Sequence, residues 1–156
     1  TFLEEPLPIN DLDAMAALTS AVKVPIAAGE NYYTRFEFRD VLVKRAVNIV
    51  QPDIIHAGGL AETKKIAAMA SAWNVPLAPH IHATVGVAAS IHLLASTPNT
   101  LAAEYITSGG SYKLRQALYG QAFMADDGWV SAPDEPGLGI HINEDALERF
   151  CPAGMK

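Results

Sequence analysis

Apolar residues recur in short runs, and each run ends on a polar or ionisable residue. Phe2-Leu3 leads to Glu4, and Ile26-Ala27-Ala28-Gly29 to Glu30. Ile49-Val50 leads to Gln51-Pro52-Asp53, Leu77-Ala78-Pro79 to His80, and Leu101-Ala102-Ala103 to Glu104. The ionisable ends are spaced by 26, 23, 27 and 24 residues. That period is close to one strand-plus-helix unit. The runs are short and continuously apolar, as parallel strands buried on both faces are. They predict strands at residues 1–4, 24–28, 47–51, 75–78 and 101–104.

Between the runs the period changes to that of a helix. A helix from an Asn10 or Asp11 cap to about residue 22 places Leu12, Met15, Ala16 and Leu18 on one face. Thr34-Arg35-Phe36-Glu37 reads as a capping box opening a helix to about residue 45, with Phe38, Val41 and Leu42 inward. Gly58-Gly59 permits a tight passage into a helix over 62–73 that buries Ile66, Met69, Ala70 and Trp73. An alanine-rich helix over 86–95 carries Val87, Ile91, Leu94 and Ala95.

After Glu104 the rhythm breaks. Ser108-Gly109-Gly110-Ser111 reads as a flexible loop, Asp127-Gly128 as a hairpin turn, and 133–139 as a proline- and glycine-rich loop. Asn143 caps a last helix over 144–150. The tail is read as an extension, not a further repeat.

Strand–helix alternation at this period means a parallel sheet in an α/β protein. Two architectures fit: an open doubly wound sheet, or a partial TIM-type (β/α) barrel of about five parallel βα units plus a C-terminal extension. A functional group at every strand end favours the barrel, because a doubly wound sheet gathers its site at one switch point. The chain opens within an apolar run and without Met, so residues upstream of Thr1 are expected in the parent protein.

Composition narrows the function classes. The 156 residues are half hydrophobic and carry a net charge of −6, with no cluster of lysine and arginine. That disfavours a nucleic-acid partner. No apolar run approaches the ~20 residues of a membrane span, and no signal peptide is visible at the start. The one cysteine, Cys151, excludes an internal disulfide framework and suits a reducing cytoplasm. It reads as a small tail residue, not a nucleophile.

The strand ends carry the candidate chemistry. Glu4 and Glu30 offer two hard oxygen donors of the kind Mg²⁺ takes, or else form a pair of exposed acids at a rim. Glu5, next to Glu4, is expected to point to the opposite face. Asp53 and His80 end consecutive strands, where a carboxylate can fix an imidazole tautomer and leave the second nitrogen to face a pocket as acid or base. A buried structural His–Asp pair is the competing reading. Glu104 is either a carboxyl that hydrogen-bonds a developing enolate or a rim salt bridge. His82 is a substrate-contact candidate or a loop residue. His56 lies beyond the third strand, His92 and His141 read as structural, and Lys64-Lys65 as a solvated helix face.

Taken together, Glu4-Glu5-Pro6, Gly29-Glu30, Gln51-Pro52-Asp53 with Ala57-Gly58-Gly59, Pro79-His80, Glu104 and Pro136-Gly137-Leu138-Gly139 resemble the enolase superfamily, most closely its mandelate racemase subgroup. The resemblance covers essentially the whole chain. It implies Mg²⁺ held by Glu4 and Glu30, an Asp53–His80 dyad and Glu104 in the site. It implies abstraction of the proton α to a carboxylate, with dehydration of a sugar acid as the leading outcome. Hydroxy-acid racemisation or epimerisation is the alternative, and a non-catalytic interaction module is the other. His56 stands where muconate-cycloisomerase-type relatives carry a lysine base, which argues against that branch. The resemblance places the chain in the C-terminal portion of the barrel, with a capping domain, the first strands, a third metal-binding carboxylate and a lysine motif upstream. It implies a small carboxylate substrate and a homo-oligomer when full length.

Overall fold

The computed structural model describes residues 1–81, 84–120 and 123–151; His82 lies outside the described residues. It is an α/β fold. Three parallel strands, β1 (Leu3–Glu4), β2 (Ile26–Ala28) and β3 (Ile49–Val50), lie in the order β1-β2-β3. Leu3 pairs with Ile26 and Ala27 with Ile49. The parallel pattern continues through single bridges, Val50 to Leu77 and Leu77 to Thr100.

The expected strand over 75–78 is therefore reduced to a bridge at Leu77. Pro76 and Pro79 flank it and have no N–H to give to a ladder. The expected strand over 101–104 is likewise only a bridge at Thr100, and residues 101–104 are exposed. The first run is not buried either: Leu3 is 45% exposed, because β1 has a neighbour on one side only. β2, flanked on both sides, is wholly buried.

Six helices occur among the described residues. α1 (Leu12–Ala21) is capped by Asp11, whose Oδ1 accepts from the Ala14 N–H at 2.9 Å. α2 (Thr34–Val43) begins one residue earlier than a Thr34-capped box requires. Glu37 reaches back to the Tyr33 N–H at 2.6 Å, so the carboxylate half of the box forms around Tyr33. α3 (Leu60–Ala72) starts after Gly58 and Gly59, both at positive φ. Thr63, Ile66, Ala67 and Ala70 form its buried face. Trp73, expected inside, caps the helix C-terminus and is exposed. α4 (Thr84–Ala95) buries Val87, Ile91 and Leu94, while Ala95 is exposed.

The glycine pair read as a loop is the first turn of α5 (Gly109–Tyr119), so a helix follows the Thr100 segment too. Weak helix formers at its start hide it; Arg115, Leu118 and Tyr119 supply its buried face. Asp126 and Trp129 exchange two backbone bonds of 2.8 Å around Asp127-Gly128, both at positive φ, as the hairpin expectation requires. α6 (Glu144–Phe150) is capped by Asn143, which accepts from the Ala146 N–H at 3.1 Å.

The main core lies between the sheet and α1–α3, with Met15, Ile26, Phe38, Val50, Ile66 and Leu77 fully or almost fully buried. Lys64 does not face solvent alone. Its Nζ donates to the Ser96 carbonyl, Ser96 Oγ and Thr97 Oγ1, tying α3 to the end of α4. No helix among the described residues is long and apolar enough to cross a membrane.

Candidate active site

Parallel strands share one C-terminal end, and the ionisable residues follow those ends. Glu4 closes β1, and Glu30 stands beyond β2 after Gly29. Asp53 follows β3, while His80 and Glu104 follow the bridges at Leu77 and Thr100.

Asp53 is 1% exposed and accepts three hydrogen bonds. Oδ1 takes the N–H of Ile55 at 2.7 Å and of His56 at 3.0 Å. Oδ2 lies 2.8 Å from His80 Nδ1. Burial, the largest single influence, disfavours its charge. The bonds from His56 N–H, His80 and Ile55 N–H together outweigh it, so the carboxyl is held below its ordinary range.

His80 Nε2 does not face an open pocket, as expected from sequence; it lies 3.3 Å from Glu30 Oε2. The imidazole sits between two carboxylates. Glu30 also takes a bond from Asn31 Nδ2 at 3.1 Å, and its backbone carbonyl lies 3.0 Å from His56 Nδ1. Asn31 Nδ2 reaches Glu5 Oε2 as well, at 2.9 Å. Glu5 therefore points toward the site's end, not the opposite face. It leaves the strand with φ 38° before Pro6, which breaks the alternation. Glu4 accepts from Gln51 Nε2 at 3.2 Å. Glu104 Oε2 accepts from the N–H of Ile81, the residue after His80, at 2.9 Å.

The contacts thus join Glu4 to Gln51, Glu30 to His80 to Asp53, and Glu104 to the backbone beside His80. Asn31 and Gln51 were not singled out from sequence as site residues. The available signal was an amide placed immediately beside an ionisable strand end.

Gly29 is required between these groups. Its φ is 153°, and a Cβ there would lie 2.7–2.9 Å from backbone atoms of Gln51. Nearby Tyr32 is pushed up to about 12 by burial and then by Glu5 and Glu37, so its hydroxyl stays protonated and donates to the Ile9 carbonyl at 3.1 Å.

Among the described residues, Glu4 and Glu30 form no ion pair with lysine or arginine; their partners are amides and His80. Two carboxylates without a lysine or arginine partner fit a hard divalent cation in donor chemistry. They supply part of a ligand set: no group of three or more His, Cys, Asp or Glu among the described residues is arranged to hold a metal ion.

Residues 1–146 match the enolase C-terminal domain-like family, and the chain belongs to it. The D-galactonate dehydratase of Xanthomonas campestris pv. campestris is 37% identical over 153 residues, covering 95% of this chain and 40% of that protein. The D-xylonate dehydratase of Haloferax volcanii is 37% identical over 156 residues, covering 98% of this chain and 37% of that protein. Among solved structures, a mandelate racemase/muconate lactonizing enzyme-like protein from Roseovarius sp. TM1035 superposes with a TM-score of 0.87. It is 40% identical and covers 95% of this chain and 36% of its own. The chain thus spans about 40% of the length of the curated relatives it matches.

Proposed function

We infer that this chain forms the C-terminal portion of a β/α barrel, about five βα units and an extension, in an enzyme that dehydrates a sugar acid. The kinship with D-galactonate and D-xylonate dehydratases supports the substrate class. The Asp53–His80 hydrogen bond of 2.8 Å, set beside Glu30, is the observation that carries the chemistry. Exposed Leu3 and Leu101, on the two outer flanks of the sheet, support further barrel strands contributed from upstream; a capping domain precedes them in this reading.

Glu4 and Glu30 would hold Mg²⁺, with further donors from the upstream portion. The cation, when bound, supplies Lewis-acid stabilisation of the negative charge that develops on the substrate carboxylate. Asp53 fixes the His80 tautomer through Nδ1 and stabilises the imidazolium. His80 exchanges its proton at Nε2. In dehydration a base from the upstream portion takes the proton α to the carboxylate, and the β-hydroxyl leaves with a proton from His80 as water. The resulting enol becomes a 2-keto-3-deoxy acid. Glu104, held by the Ile81 N–H, hydrogen-bonds the substrate at the same end, and His82 follows as a substrate contact. The enzyme acts in the cytoplasm as a homo-oligomer on a small carboxylate, without nucleic-acid or membrane partners.

The complete polypeptide should be incubated with a library of aldonic and aldaric acids and Mg²⁺, with 2-keto-3-deoxy acid as the readout. Formation of that product from at least one acid is expected; no turnover of any acid overturns the reading. Racemisation is the second reading, favoured by the likeness to a mandelate racemase-like structure. It predicts exchange of the α-proton with solvent deuterium and an epimer in place of the keto acid. If the interaction-module reading holds, neither product forms.

A further inference from the structure

We propose that Gln51 is a positioning residue for Glu4, holding its carboxylate in the orientation that binds the divalent cation; this rests on the metal-binding reading above. Gln51 lies at the end of β3, whereas Glu4 lies on β1, with β2 between them. The Gln51 N–H is bonded to the Ala28 carbonyl at 3.0 Å, and Gly29 packs directly on the Gln51 backbone. The end of β2 therefore carries no side chain where it meets Gln51. The amide spans from β3 to β1 and brings Nε2 to 3.2 Å from Glu4 Oε2.

An ionised carboxylate only accepts hydrogen bonds, so it selects the NH₂ end of the amide. Oε1 must then point away from Glu4. It is buried, and it has no hydrogen-bond partner. For the fold alone this is a poor arrangement, since a buried acceptor without a donor opposes folding and an apolar side chain of equal length would avoid it. The feature that the amide does provide is the bond to Glu4. Among the described residues, Gln51 is the one side chain that hydrogen-bonds this carboxylate, whereas Glu30 is held by both Asn31 and His80. Groups that orient a ligating carboxylate tune metal affinity through it.

The test is a titration of the complete polypeptide with Mn²⁺, followed by calorimetry or by electron paramagnetic resonance, alongside the melting temperature of the metal-free protein. Gln51→Met, of similar length and without a donor, should weaken Mn²⁺ binding by about 10–100-fold. Its metal-free melting temperature should stay level or rise. In a Glu4→Gln background the same substitution should change nothing further, because its effect passes through Glu4. Gln51→Asn, whose shorter amide cannot reach Glu4, should reproduce the loss and serves if the methionine variant does not fold. Glu30→Gln tests the underlying reading separately and should abolish binding whatever stands at 51. If Glu30→Gln abolishes binding while Gln51→Met binds Mn²⁺ like the wild type, the positioning role falls alone. A wild-type protein that binds no Mn²⁺ removes both.

Discussion

Asp53 Oδ2 and His80 Nδ1 are 2.8 Å apart, although 27 residues separate them in sequence. The bond gives a direct handle on the chemistry. In the complete enzyme His80→Ala should lower turnover by ~10²–10⁴-fold, the usual contribution of a general acid–base group, and leave metal affinity nearly intact. Asp53→Asn should leave the fold in place and lower the rate, since an amide does not stabilise the imidazolium. Rate per folded molecule, measured beside the melting temperature, separates this from a purely architectural pair. Unchanged specific activity in His80→Ala would remove His80 from the mechanism.

The same carboxyl makes stability depend on pH. Its value in the folded chain lies below the ordinary one, so its ionisation favours folding. That contribution is complete above the unfolded value of about 3.9 and is lost as pH falls through the lower folded value. The stability gap between the wild type and Asp53→Asn should therefore narrow as pH falls below about 4. Urea unfolding at stepped pH measures it, and a gap that widens on acidification would contradict the assignment.

Gly29→Ala should cost on the order of 2 kcal/mol or more, because it combines a positive φ with a steric overlap. The overlap is with backbone atoms of Gln51, at 2.7–2.9 Å, so no side-chain rotation relieves it. Chemical denaturation reads the loss. A neutral effect would mean that the ends of β2 and β3 separate easily.

Phe38 is fully buried in the main core, in edge contact with the Tyr32 ring at 5.7 Å. Truncation to alanine should destabilise the protein by ~3–5 kcal/mol. Since Phe38 belongs to the hydrophobic core and not to the group of ionisable residues at the strand ends, the folded fraction should keep its metal affinity. Calorimetric unfolding and a metal titration on the same sample check both halves.

Much of the architecture was legible because local chemistry decides it. Asp11 and Asn143 cap their helices as short polar residues at helix starts do, and Asp127-Gly128 turns where two positive φ values are needed. The parallel order of the strands followed from the alternation of runs and helices. Strand length did not, because Pro76 and Pro79 remove donors that apolarity alone does not count. α5 is hidden in the sequence behind two glycines, and helical spacing places Trp73 inward although the helix ends just before it. At the site, the residue types at the strand ends were readable. Their partners were not. The approach of Glu30 to His80 and the turn of Glu5 depend on φ angles and on distances between separate strands.

The sheet's two flanks bear on how the isolated polypeptide behaves in solution. β1 on one side and the segment after Thr100 on the other have no strand beyond them among the described residues, and Leu3 and Leu101 are about half exposed there. Unpaired backbone groups beside apolar side chains form a template for another strand. Copies of these 156 residues, prepared alone, should stick edge to edge as concentration rises, and lysine at position 3 or 101 should keep them dispersed.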